Sequence, residues 1–145
     1  MEREELCKKI AEALQKRPEV LEAYLFGSQA RDEVQPHSDV DVAVYVEPEA
    51  LKRPSHWGLQ IEIASDLMTA VHRNDVDVDV VLLNRSDPFL YHRVLRDGVR
   101  LFARDLRATT VREGQALSRY FDDLARQDAA WAIRSARIRS GEFGR

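Results

Sequence analysis

At 145 residues the chain has room for one domain with a real core, and is too short for two ordinary ones. Hydrophobic residues at 44% and charged residues at 32% exclude a disordered polymer, and no apolar run approaches the length needed to cross a bilayer. A net charge of −3 argues against a general nucleic-acid binder, and the expectation is neither membrane insertion nor direct nucleic-acid contact. The opening Glu2-Arg3-Glu4-Glu5 lacks the order of a secretory signal, and the one cysteine, Cys7, suits a reducing compartment, so a cytoplasmic protein is expected.

The first element in chain order is a helix over Glu2–Leu14, with Leu6, Ile10, Ala13 and Leu14 at helical spacing and Pro18 beyond its end. Leu21–Phe26 reads as a short strand that ends at Gly27-Ser28, and Ser28–Val34 as a short helix capped by Ser28 and broken before Pro36. Asp39–Val46 alternates strictly. Its valines fall on one face, and Asp39, Asp41, Ala43 and Tyr45 fall on the other. After a polar loop around Pro48 and Pro54, a helix is expected over Gly58–His72, then a second alternating strand over Val76–Leu83. Asp87-Pro88 marks a helix start and Gly98 its stop, with a short edge strand over Val99–Phe102. Thr110 and Glu113 form a capping-box pattern ahead of a long C-terminal helix bearing Leu117, Tyr120, Phe121 and Leu124. The alternation predicts a sheet with helices packed against it, forming a core over about 18–103 and a helical segment over about 108–139.

Chemistry concentrates in two places. A Gly27-Ser28 turn between strand and helix lets backbone N–H groups approach an anion, and the helix start adds partial positive charge and a hydroxyl donor. Ten residues later, Asp39 and Asp41 project from one strand face with Cα atoms roughly 6.6 Å apart. Two such carboxylates suit a hard cation such as Mg²⁺, which completes its shell with water and phosphate oxygens. A third carboxylate would make this a phosphoryl-transfer site, and the strand over Val76–Leu83 offers Asp77 and Asp79.

Gly27-Ser28, ten residues, then Asp39-Val40-Asp41 resembles the signature of nucleotidyltransferases of the DNA polymerase β superfamily. Four such fixed positions would match by chance in about one chain of this length in 500. The strings Leu25-Phe26-Gly27-Ser28-Gln29-Ala30-Arg31 and Ser38-Asp39-Val40-Asp41 resemble the minimal nucleotidyltransferase branch, as do Val78-Asp79-Val80-Val81-Leu82-Leu83-Asn84 and Arg96-Asp97-Gly98-Val99. One position departs from that pattern: Asp32 stands where the family usually has glycine.

The resemblance implies an α/β (α+β) nucleotidyltransferase fold, with a mixed twisted sheet, helices packed against it and a C-terminal helix. It implies Asp39, Asp41 and Asp79 as catalytic residues and ligands of one or two Mg²⁺ ions, with Asp77 the rival third acid. Gly27, Ser28, Arg31 and Ser38 would hold the nucleotide. Minimal nucleotidyltransferases of this size resemble antitoxins that use ATP to place AMP on a tyrosine of a HEPN-type ribonuclease toxin, and that is the leading expectation. A non-catalytic antitoxin acting by contact, and a small-molecule (aminoglycoside-type) nucleotidyltransferase, are the competing readings.

The remaining residues read more plainly. The four histidines have no paired ligand spacing, Asp122 and Asp123 suit a solvated helix face, and Trp57, Trp131, Tyr120 and Phe121 suit core or interface anchors. From Arg104 onward nine arginines face six acids, a balance of +3. Thirteen basic and nineteen acidic residues precede them, a balance of −6. Such a basic tail suits either an acidic partner or a solvated helix face.

Overall fold

A computed structural model gives the fold, with residues 3–27, 39–71 and 77–141 described. The chain runs α1 (Arg3–Gln15), β1 (Val20–Phe26), β2 (Val40–Val46), a 3-10 turn (Pro48–Lys52) and α2 (Leu59–Val71). It continues through β3 (Val78–Leu82), a second 3-10 turn (Leu83–Arg85), α3 (Pro88–Asp97), β4 (Val99–Ala103) and α4 (Leu106–Arg139). The strands form one mixed sheet in the order β3-β2-β1-β4. β1 pairs antiparallel with β2 and β4, while β2 and β3 run parallel. Parallel neighbours need a long crossover, and α2 supplies it.

The alternation in β2 sets up two cores. Val40, Val42, Val44 and Val46 join Leu6, Ile10 and Leu14 of α1 and Ile63, Leu67 and Val71 of α2 on one face. On the other, Ala43 joins Tyr24, Phe26, Tyr91, Val94 and Ala116 beneath α3 and α4. Each helix presents apolar residues at three- and four-residue spacing, so burying that stripe fixes its position on the sheet. Arg104 ties the layers together. Its guanidinium donates to the backbone oxygens of Val20 at 2.6 Å and of Gln15 and Arg17 at 2.9 Å each, satisfying carbonyls at the end of α1, in the turn after it and at the start of β1.

The proximal half of α4 is held by charge. Glu22 of β1 is fully buried, and accepts bonds from the Thr109 hydroxyl at 2.9 Å and from Arg112 Nε and Nη2 at 2.8 and 2.6 Å. The Tyr24 hydroxyl donates to Glu113 at 2.8 Å, and Arg100 donates to the same carboxylate at 3.1 Å. Burial, followed by the bond to Glu113, pushes the Tyr24 hydroxyl well above its ordinary range, so it remains a donor.

Two expectations are corrected. α4 does not begin at a Thr110–Glu113 capping box. It begins one turn earlier, where the Asp105 carboxylate accepts the Ala108 N–H at 3.3 Å. Aspartate is the better cap, Thr110 turns back to the Leu106 carbonyl inside the helix, and Glu113 is drawn to Tyr24 and Arg100. Of the core and interface roles expected for Trp57, Trp131 and Phe121, the core role falls, since they are 68%, 64% and 59% exposed. The other boundaries differ from expectation by a residue or two, and Asp87 caps α3 through the Leu90 N–H at 2.9 Å as expected. The expected helix over Ser28–Val34 lies outside the described residues.

Candidate active site

The carboxylates gather where the C-terminal end of β1 meets the N-terminal ends of β2 and β3. Asp41 pairs across the ladder with Phe26 of β1 on one side and with Asp79 of β3 on the other. Strands lie about 4.8 Å apart, so Asp41 and Asp79 are direct cross-strand neighbours on the sheet face that also carries α3 and α4. Asp39 sits exposed two residues before Asp41, on the same face by alternation. Like charges directly opposite each other destabilise a sheet, which marks this as an arrangement stability alone would not select.

Gly27 makes the arrangement possible. It adopts φ of +77°, a conformation glycine reaches without steric cost. A Cβ built there would stand 2.3 Å from the Asp41 carboxylate oxygen Oδ2. Glycine is therefore required twice at this turn, once by the backbone and once by the acid beside it.

Asp41 is partly buried while Asp39 and Asp79 are exposed. Its carboxyl is held above the usual range, chiefly by burial, then by the charge of Asp79, then by that of Asp39. A cation would relieve all three effects together. The donor set of hard carboxylate oxygens suits Mg²⁺. Among the described residues no three acids, histidines or cysteines are already drawn together as a metal-binding group. Asp77 is exposed one step before β3, where its carbonyl accepts the Val40 N–H at 2.8 Å and lengthens the ladder. Asp77 is not among the charges that raise Asp41.

Of the residues expected at the site, the structure sets Gly27 against Asp41 and Asp41 opposite Asp79, with Asp39 two residues before Asp41. Ser28, Arg31, Ser38, Asp32 and His37 lie outside the described residues. His56 packs edge-on against Trp57 at 4.6 Å and His92 stacks on Tyr120 at 3.7 Å, both apart from the acids.

The sequence reading missed two features of this face. One is the Glu22–Arg112 pair, whose only local signal is a lone acid inside an otherwise apolar strand. The other is a cavity of about 520 Å³ toward the far end of β2, lined by Tyr45, Asn84, Tyr91, Arg112, Gln115 and Arg119 among others. The Tyr91 hydroxyl is buried there with no hydrogen-bond partner among the described residues. Its members come from four separate stretches of sequence, and only the shared parity of Tyr45 with Asp41 hinted at it.

Known proteins share this fold. No curated protein matches the chain. The crystal structure of a toxin–antitoxin with AMP-PNP is 25% identical and superposes with a TM-score of 0.71, covering 89% of this chain and 98% of that one. The structure of a mutant MntA–HpeT toxin–antitoxin is 26% identical, with a TM-score of 0.67 and coverage of 88% and 96%. A tri-AMPylated Shewanella oneidensis HEPN toxin in complex with its MNT antitoxin is 23% identical, with a TM-score of 0.68 and coverage of 92% and 98%, and supports the fold. Residues 8–107, more than half of the chain, match the family described as Polymerase beta, Nucleotidyltransferase, and the chain belongs to that family.

Proposed function

We propose that this protein is a Mg²⁺-dependent adenylyltransferase that moves AMP from ATP to a hydroxyl of a HEPN-type toxin, most simply a tyrosine, and so acts as the toxin's antitoxin. The observation that carries the reading is the cross-strand pair Asp41–Asp79 beside Asp39, with Gly27 clearing space for Asp41. The AMP-PNP bound in the 25% identical neighbour and the AMPylated toxin in the 23% identical one support donor and acceptor.

Bound between these carboxylates, Mg²⁺ would neutralise charge on the phosphates and hold the α-phosphate in line for attack. Asp39 and Asp41 would hold the ion, with Asp41 beside the Gly27 turn. Ser28, Arg31 and Ser38, from the segment joining β1 to β2, are proposed to hold the triphosphate. Asp79 faces the incoming hydroxyl and takes its proton as the acceptor oxygen bonds to the α-phosphorus. The bond from that phosphorus to the bridging oxygen breaks, and pyrophosphate leaves. Positioning and charge neutralisation supply most of the acceleration in such transfers. No helix among the described residues is long and apolar enough to span a membrane.

Intact-mass spectrometry of the cognate HEPN protein tests this. After incubation with the chain and Mg-ATP the toxin should gain whole AMP units and lose ribonuclease activity, with neither change when Asp39 and Asp41 are both asparagine. Full silencing by that double variant would replace the enzymatic reading with one of steric neutralisation.

A further inference from the structure

The distal half of α4 packs on none of the described residues. A helix of 34 residues is about 51 Å long, and from Ala125 to Arg139 every residue except Ser135 is exposed. Yet this stretch is not patterned as a solvated face. Leu117, Phe121, Leu124, Asp128, Trp131, Ser135 and Ile138 follow one another at alternating spacings of four and three, the period of a helix-packing seam. Phe121, Trp131 and Ile138 are 59%, 64% and 47% exposed along it. Aromatic side chains lined up in water on a projecting helix mark a surface that another molecule covers.

The flanking charges narrow the occupant. Arg134 and Arg139 occupy the positions beside the seam that form ion pairs across helix interfaces, and no acid occurs from Ala129 to Gly141. A second copy fits poorly. Parallel pairing sets this arginine-bearing end against itself, and antiparallel pairing centred on the seam sets Asp128 against Asp128.

We infer that this seam docks into an apolar groove between helices of another protein, one rimmed by acidic side chains and carrying a cation opposite Asp128. Resting on the function proposed above, that protein is the HEPN-type toxin. Trp131 and Ile138 fill the groove, Arg134 and Arg139 meet its rim, and Asp128 sets the register. The seam lies on the part of α4 that extends past the Glu22 and Glu113 contacts.

The test is titration calorimetry of the full chain against its cognate HEPN protein. Trp131→Asp should weaken binding at least 100-fold, and Ile138→Glu should do so independently. The pair Arg134→Glu with Arg139→Glu should weaken it about tenfold and flatten its salt dependence. Asp41→Asn should bind as wild type does. Wild-type affinity in Trp131→Asp, with AMP transfer persisting, would overturn the docking surface and leave the enzymatic reading standing. A homodimer dispersed by Trp131→Asp would overturn the choice of occupant. A wild-type chain that neither binds nor modifies any HEPN protein would overturn both readings.

Discussion

Two acids on neighbouring strands, facing the same side of one sheet, meet opposite fates. Glu22 is completely buried, and Arg112 and Thr109 match it bond for bond. Asp41, one strand over, is less buried, and its nearest charges are two more carboxylates. The first acid is answered within the fold and fastens α4 to the sheet. The second is answered by nothing in the described residues, and that imbalance is what a bound cation would correct. A charge the fold neutralises serves stability; a charge it isolates among like charges serves function.

Breaking either side should separate the two roles. The largest effect falls on catalysis: Asp41→Asn should lower AMP transfer by at least about 10³-fold, roughly 4 kcal/mol of transition-state stabilisation, in single-turnover assays. Next comes Arg112→Ala, which strands Glu22 in the core and should cost about 3–5 kcal/mol in urea denaturation. Combining it with Glu22→Gln should recover much of that loss, since the uncompensated charge is then gone. Gly27→Ala should cost about 1–3 kcal/mol through its positive φ, and should also impair transfer by displacing Asp41.

Smaller effects sharpen the contrast. Because the fold raises the pKa of Asp41, the folded protein holds that proton more tightly than the unfolded chain does. The contribution of this group is therefore fully present below its unfolded pKa and is lost as pH rises through the folded value. Asp41→Asn should raise the neutral-pH Tm of the metal-free protein modestly, and Mg²⁺ should raise the Tm of the wild type more than that of the variant. Asp105→Ala, which removes only the cap of α4, should cost about 1 kcal/mol.

Elements with strong periodicity were legible from sequence. The valines of β2 and the i, i+4 stripe of α1 define their own faces, and Asp87-Pro88 and Gly98 bound α3 as written. Gly27 and Asp41 were legible as members of a spaced motif, but their mutual need was not. A steric contact between residues fourteen apart depends on the register of β1 against β2. The Glu22–Arg112 pair was hidden for a similar reason: ninety residues separate the partners, and a single acid in a strand carries no sign of its mate. Asp105 lost to Thr110 in the reading because a two-residue capping pattern is easier to see than one good cap. Sequence parity cannot make the choice between Asp77 and Asp79, because both share it; the register that sets Asp79 opposite Asp41 supports Asp79.

That choice gives the sharpest test. Initial rates of AMP transfer from α-³²P-labelled Mg-ATP to the cognate HEPN protein should be compared for Asp79→Asn and Asp77→Asn at saturating nucleotide. Loss of transfer by at least about 10³-fold for Asp79→Asn, with Asp77→Asn within a few-fold of wild type, is the predicted result. The reverse order would contradict the assignment of the acid opposite Asp41 as the third member of the site.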